Sequence, residues 1–334
     1  MVTAETRARG EPAAPRRRTL SNLAPLLLAL RVLVARAAEG LGVLAAVATF
    51  VFLAVRLLPG DPAALVLGDQ ATLAERAALR QRLQLDLPLW VQYARMFPRL
   101  LTGSGESLRH PGHSAGELVG AALGPTAALA CTAVAVGAVA GSGLALLAVG
   151  PWLGTRRRWI ERGASAVAAT PLLAFAPVAT YALAARLRVV PLPGDPDAGA
   201  AGLLFGAGLL ALPLAAHVAR VGRVALEAVR SAPFLTVARA KGGSTARVWL
   251  LHALPPAAAP ILTVVGAQLG ALLGGAVVLE RLFERPGLGS LVLSAYASRD
   301  LPVLELAIVA SGALFVAVQM ATAALVAAVD PRAR

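Results

Sequence analysis

The sequence predicts an all-α integral membrane protein that crosses the bilayer six times with both termini in the cytoplasm, and three observations carry that prediction. Of the 334 residues, 57% are hydrophobic and 15% are charged, whereas a soluble domain has roughly 25% charged residues. Six stretches approach or exceed the ~20 apolar residues that a spanning helix needs. Once those spans are drawn, the net charge of +13 falls wholly on one side of the membrane.

Taken in order, residues 1–39 read as a basic cytoplasmic tail and interfacial segment. Arg16, Arg17 and Arg18 precede a short apolar run from Leu23 to Leu30, an order shared with twin-arginine signals. Arg31 and Arg36 interrupt that run and no small-residue cleavage site follows, which favours a tail drawn to anionic headgroups. Residues 40–58 form the first span, and residues 59–117 an extracytoplasmic loop with helical pieces such as Ala71 to Leu83. The core, residues 118–329, holds spans two to six at residues 118–149, 163–187, 198–219, 257–279 and 303–329, and residues 330–334 return to the cytoplasm. In this arrangement the cytoplasmic segments carry 19 basic and 6 acidic residues, and the outer side carries 12 of each. A charge that by itself suggests a nucleic-acid partner thereby becomes an orientation signal, and the 4% aromatic content leaves few stacking platforms for bases.

Several chemistries are excluded by counting. The single lysine, Lys241, is followed by Gly242, so no phosphate-cradling Gly-Lys-Ser/Thr loop exists and any ATP used must be hydrolysed by another chain. The single cysteine, Cys131, permits no internal disulfide, zinc ribbon or iron–sulfur cluster and reads as a small buried hydrophobe. His110 and His113 have His-x-x-His spacing but flank Pro111 and Gly112 on an outer loop, a context that disfavours metal binding. His217 and His252 read as helix-end contacts, and the outer carboxylates Asp61, Glu280, Glu284 and Asp300 are dispersed. No catalytic residue, metal or cofactor is therefore assigned, and the chain is expected to be no enzyme.

The most informative cytoplasmic segment lies between spans four and five. Ser231 is a candidate N-cap, Pro233 suits the first helical turn, and Gly242 and Gly243 suit a left-handed helix end with Arg239 and Lys241 at the negative pole. The result is a helix of about two turns at residues 232–243 that exposes Phe234, and apolar surface on so short an element requires a covering partner.

At this point a resemblance emerges. Ala238, Arg239, Ala240, Lys241 and Gly242, then Arg247, His252, Ala253, Leu254 and Pro260, resemble the cytoplasmic signature of binding-protein-dependent ABC-importer permeases, B-type subunit of the oligopeptide/dipeptide family. Arg56 to Ala63, including Gly60, Asp61 and Pro62, resembles that family's outer end of the first span; Asp86, Pro88, Gln92 and Tyr93 resemble the following loop. Ala211 to Leu214 is similar to the fourth span, and Gly274 to Val278, Glu280, Phe283, Pro286 to Gly289, Arg299, Asp300 and Pro302 to the fifth span and its loop. Asp330 to Arg332 also fits, so the resemblance runs from about Arg31 to the end. Two departures stand out: Pro233, Phe234 and Thr236 replace an acidic–aromatic pair and an arginine, and Gly103, Ser104 and Gly105 replace a Gly-Asp-Leu-Gly segment.

The resemblance implies a type I importer permease fold in the bacterial cytoplasmic (inner) membrane. It implies as partners a second homologous permease, two cytoplasmic ATPases that hold ATP and Mg, and an extracytoplasmic binding protein. It implies that Phe234, Ala238, Arg239, Ala240, Lys241 and Gly242 couple to the ATPase, with Gly60, Asp61, Pro62, Pro286 and Gly287 on the face that receives the binding protein. The solute would be a dipeptide, an oligopeptide, nickel or another small molecule.

Gly266, Gly270 and Gly274 recur every four residues in span five, and Gln268 and Gln319 are polar groups within spans; these readings leave helix packing and pathway lining both open. Gly137 and Gly141 in span two read as packing. Pro171, Pro177 and Pro213 are expected to bend spans three and four. The competing class is a stand-alone secondary transporter, which would need ionisable groups near the midplane; the span centres read as nearly free of charge.

Overall fold

A computed structural model describes residues 23–57, 62–68 and 71–329. Leu23–Leu57 forms one unbroken helix, α1, so the first helix begins well before residue 40. Arg36 does not end it, because arginine is a good helix former and here pairs with Glu39 one turn on at 3.1 Å. The tail arginines Arg16 to Arg18, the pair Gly60 and Asp61, and Asp330 to Arg332 lie outside the described residues.

The outer loop holds three helices: α2 (Pro62–Leu67), α3 (Leu73–Arg82) and α4 (Leu89–Thr102). A reciprocal Thr72–Glu75 capping box starts α3, satisfying amide groups that a helix start leaves bare. The same device, Ser114 with Glu117, starts α5 (Ala115–Val149). Gly103, at φ +65°, turns the chain between α4 and α5, and its carbonyl accepts from Gly116 while that of Gly105 accepts from Ala115. The segment that lacks the family's aspartate is thus tied to α5 through its backbone.

After α5 come α6 (Arg157–Ala169), α7 (Leu172–Thr180) continuing as a π-helical turn through Arg186, and α8 (Gly199–Val229). They are followed by α9 (Pro233–Ala240), α10 (Thr245–Val248) with a π-helical turn at Trp249–Ala253, and α11 (Leu254–Leu282). The chain ends with α12 (Leu288–Ser298) and α13 (Leu301–Val329).

Among the described residues, five helices are long and apolar enough to cross a membrane. The sixth crossing expected at residues 163–187 falls on a bent pair, Gly154–Ala169 and Leu172–Arg186, which makes a sixth span when its two halves are taken together across their 106° bend. Thr170 is extended before Pro171, because a proline drives its predecessor out of the helical region. Hydropathy summed along residues 163–187 counts apolar residues and is blind to that change of direction.

The core centres on α5, α8 and α11, where Leu129, Leu210, Leu214, Val218, Leu269 and Leu272 are buried together. Gly137 and Gly141 let α8 approach closely: a Cβ at Gly137 would meet the Leu214 side chain at 2.7 Å, and one at Gly141 the Ala215 carbonyl at 2.6 Å. Their packing role follows directly. Cys131, expected inside, is exposed on α5. A helix apolar all round does not reveal from sequence which side faces outward.

Candidate functional site

The cytoplasmic element forms from strictly local signals. Pro233 holds Ala232 extended and occupies the first helical position of α9, where its missing N–H costs nothing. The N-cap is therefore Ala232, one residue beyond the expected Ser231, and no side chain caps it. The helix stops at Ala240 because Gly242 adopts φ +82°, a conformation glycine takes without penalty. Gly243 serves a different purpose: a Cβ there would meet the Ala238 carbonyl at 2.8 Å and Val248 at 3.0 Å. The first glycine turns the chain, and the second lets α10 close against α9.

This hairpin is pegged to the molecule by one side chain. Leu235 is 1% exposed and joins the core cluster of Leu226, Val248 and Trp249. Phe234 and Val237, on the opposite side, remain 44% and 53% exposed. Ala238 is half-buried, whereas Arg239, Ala240, Lys241 and Gly242 are exposed. The site is thus an anchored two-turn helix presenting an apolar knob with a basic end, at which the helix's negative pole favours Arg239.

A second feature lies between the broken helix and the core. Thr170, Pro171, Pro213, Gln268 and Gly274 line an open cleft of about 320 Å³. The break at Pro171, Pro213 within the unbroken α8, and the in-span glutamine converge on one space, where backbone groups left without a partner by proline can meet a cavity. The glycine row divides. Gly266 faces Thr322 and Gln319, Gly270 faces Phe315, and Gly274 has nothing within 4 Å. The first two positions pack on α13, and the third opens on the cleft beside half-buried Gln268.

At the outer face the structure brings together residues that the sequence left apart. Arg56 on α1 pairs with Glu305 on α13 at 3.0 Å and donates to Gln92 on α4 at 2.9 Å, its guanidinium 3.7 Å from the centre of the Phe52 ring. Gln92 in turn donates to the carbonyls of Leu85 and Leu87. Glu280 and Glu305 sit at the ends of the apolar helices α11 and α13 rather than at their centres, buried and hydrogen-bonded. Glu305 was legible only as a lone carboxylate in an apolar run.

Glu280 and Asp300 bracket α12. Glu280 accepts from the Thr126 hydroxyl and from the Ser290 amide, and Gly287 lies so close to it that a Cβ would collide with the carboxylate. Asp300 accepts from the Ser107 hydroxyl and from the amide of Leu108. Pro286 is exposed at the start of this turn and Pro62 opens α2. His110 approaches Ser107 at 3.4 Å and His113 approaches Glu117 at 3.3 Å. Among the described residues no three metal-ligating side chains converge.

The fold is thus a bundle of membrane-spanning helices with a pegged, glycine-terminated helix at one end and a carboxylate-bracketed helix at the other. The chain belongs to the family described as binding-protein-dependent transport system inner membrane component, matched over residues 120–334, with that system's N-terminal membrane component matched over residues 29–122. It is 30% identical over 305 residues to a probable peptide ABC transporter permease protein of Sinorhizobium fredii, covering 90% of this chain and 97% of the relative. It is 33% identical over 291 residues to a glutathione transport system permease protein of Salmonella paratyphi A, covering 86% and 94%. A solved amino acid ABC transporter is 20% identical with a TM-score of 0.45, covering 65% of this chain and 94% of that one. The chain is therefore an inner-membrane permease subunit of an ABC importer, with a separate ATPase and a binding protein as its partners.

Proposed function

We propose that this permease pairs with a second, homologous permease, docks two cytoplasmic ATPases through α9, and passes short peptides delivered by an outer binding protein. The observation that supports the docking role is the split of α9 between buried Leu235 and exposed Phe234 and Val237. A peg transmits motion only if one side is fixed in the moving body and the other is free for a partner.

On this reading, closure of the ATPase dimer displaces α9, and α8 and α11, which flank the α9–α10 hairpin, carry the displacement toward the cleft at Pro171, Pro213 and Gln268. That cleft is this subunit's half of the pathway, with Gln268 and Gly274 facing the solute and Gly266 and Gly270 packing. Gly60, Asp61, Pro62, Pro286 and Gly287 belong to the face that meets the binding protein. ATP and Mg stay on the ATPases, and this chain holds no cofactor. Peptides are favoured as solute because the similar proteins are named for a peptide and for glutathione, itself a short peptide.

The test is reconstitution of both permeases with their ATPases and binding protein in proteoliposomes. Uptake of labelled di- and tripeptides that requires both ATP and the binding protein is the expected outcome. Uptake driven by an ion gradient without the ATPases would instead establish the secondary-transporter class, and uptake restricted to nickel would overturn the peptide assignment.

A further inference from the structure

The transport reading leaves unused a cluster of exposed arginines among the described residues. Arg156, Arg157 and Arg158 stand at the entry to α6, Arg162 follows one turn later, and all four are exposed. Trp159, 66% exposed, lies beneath the Arg162 guanidinium at 5.3 Å. The acidic residue of this helix, Glu161, is partly exposed and pairs with Arg223 of α8 at 3.6 Å, so its charge is met by α8 and the four arginines carry the net charge of the face.

Three features suit this face to a bilayer surface. The apolar half that follows, Leu172–Arg186, rises about 22 Å at ~1.5 Å per residue, short of the ~30 Å hydrocarbon core. The 106° bend at Thr170 and Pro171 turns α6 steeply away from it. The exposed positions of α6 change from Arg158 and Arg162 to Ala166 and Ala169 along its length, a gradient that suits a helix entering from the headgroup edge. Exposed arginines beside an exposed tryptophan are the composition of an interfacial helix that meets anionic lipid.

The helix is also fastened to the coupling hairpin. Its inner face, through Ala164, packs on Ala216 and Ala219 of α8. Trp152, just before it, stands 6.1 Å from Trp249, which is buried beside α10. Arg223 joins Glu161 on α6 to Glu227 on α8, less than two turns before α9 begins. Whatever holds α6 therefore bears on both ends of the hairpin.

We propose that α6 is a binding surface for the anionic phospholipid headgroups of the inner leaflet, held by Arg156, Arg157, Arg158 and Arg162 with Trp159 at the interface, and that this contact steadies the fulcrum of the coupling hairpin. It rests on the transport reading's topology, with both termini in the cytoplasm, which places residues 150–162, between spans two and three, on the cytoplasmic side. That placement is checked separately with Arg157→Cys in a Cys131→Ala background: labelling from the cytoplasmic side is expected, and labelling from the outside would overturn the topology and this inference together.

The test of the inference proper compares wild type with the fourfold Arg→Gln and Arg→Lys variants at these positions. Each full chain is purified from mixed phosphatidylcholine and phosphatidylglycerol, and the retained lipid is measured by native mass spectrometry. Each near-surface arginine contributes enough that the Gln variant should retain phosphatidylglycerol about tenfold less or weaker still, while the Lys variant retains it. In the assembled transporter, a rising phosphatidylglycerol fraction should stimulate ATP hydrolysis by wild type and not by the Gln variant. Equal retention by wild type and Gln variant would overturn the proposal. Unchanged lipid retention with loss of the ATPase from the complex would overturn it in favour of a protein-docking face. If the Gln variant fails to insert, salt replaces it: phosphatidylglycerol retention by wild type that is indifferent to ionic strength would overturn the proposal, and a fall supports it.

Discussion

Arg56 and Glu305 retain only 11% side-chain exposure each, so their pairing is governed by what happens when one charge is left alone. Removing one partner of a buried pair costs roughly 3–5 kcal/mol, whereas replacing both by apolar residues of similar volume is often nearly neutral. Arg56→Met should therefore lower the thermal stability of the purified chain strongly and loosen α4, and Arg56→Met combined with Glu305→Met should recover most of the loss. Additive losses in the double variant would show that the two residues act independently. Glu75 provides a pH-dependent counterpart in the outer loop. The Thr72 amide and then its hydroxyl, each donating at 2.9 Å, hold the carboxyl below its usual pKa. A depressed folded-state value means that the capping contribution is complete above the ordinary glutamate range, near about 4.3, and is lost as pH falls through the lower value. Exchange protection of the α3 amides, corrected for intrinsic rates, should be flat from neutral pH into that range and decline below it. Protection indifferent to acid would contradict this role for Glu75.

At the scale of elements, α9 was legible because its determinants are neighbours in sequence. Proline at the first position and glycine past the end set both boundaries to within a few residues, and only the N-cap shifted from Ser231 to Ala232. The broken third helix was half legible. Pro171 and Pro177 announced bending, but a bend of 106° depends on what α6 packs against. The outer clamp was not legible at all, since Arg56 and Glu305 lie 249 residues apart and neither segment carries a sign of the other. Likewise Gly266, Gly270 and Gly274 share a spacing, and only the neighbouring helices separate two packing positions from one that opens on the cleft. The local logic of α9 yields a prediction at this scale. With no side chain at its N-cap and one positive-φ residue at its end, the hairpin has little reserve. A β-branched side chain at φ +82° costs about 1–2 kcal/mol. Gly242→Val should therefore insert and purify at the wild-type level yet lose most solute-stimulated ATP hydrolysis. Stimulation equal to wild type would mean that the end of α9 is not strained by the side chain or is not involved in coupling.

Across the whole molecule the positive charge, the buried carboxylates and the cleft are segregated by depth. Basic residues without acidic balance gather at the coupling hairpin and α6. Glu280, Asp300 and Glu305 are each buried in hydrogen bonds that bind α12, α13 and the outer loop to the spans. Pro171, Pro213 and Gln268 lie between these levels. Such an arrangement favours rigid motion about the cleft, with each end of the bundle fastened to its own partner. The central claim is that α9 is the point of contact with the ATPase, and site-directed disulfide trapping tests it most directly. Phe234→Cys in a Cys131→Ala background should cross-link to single cysteines lining the cleft of the ATPase surface, with a yield that changes when ATP is bound, while Leu235→Cys, buried in the permease, should not. Cross-linking from Leu235→Cys but not from Phe234→Cys, or from neither in a complex that still hydrolyses ATP in response to loaded binding protein, would contradict the account.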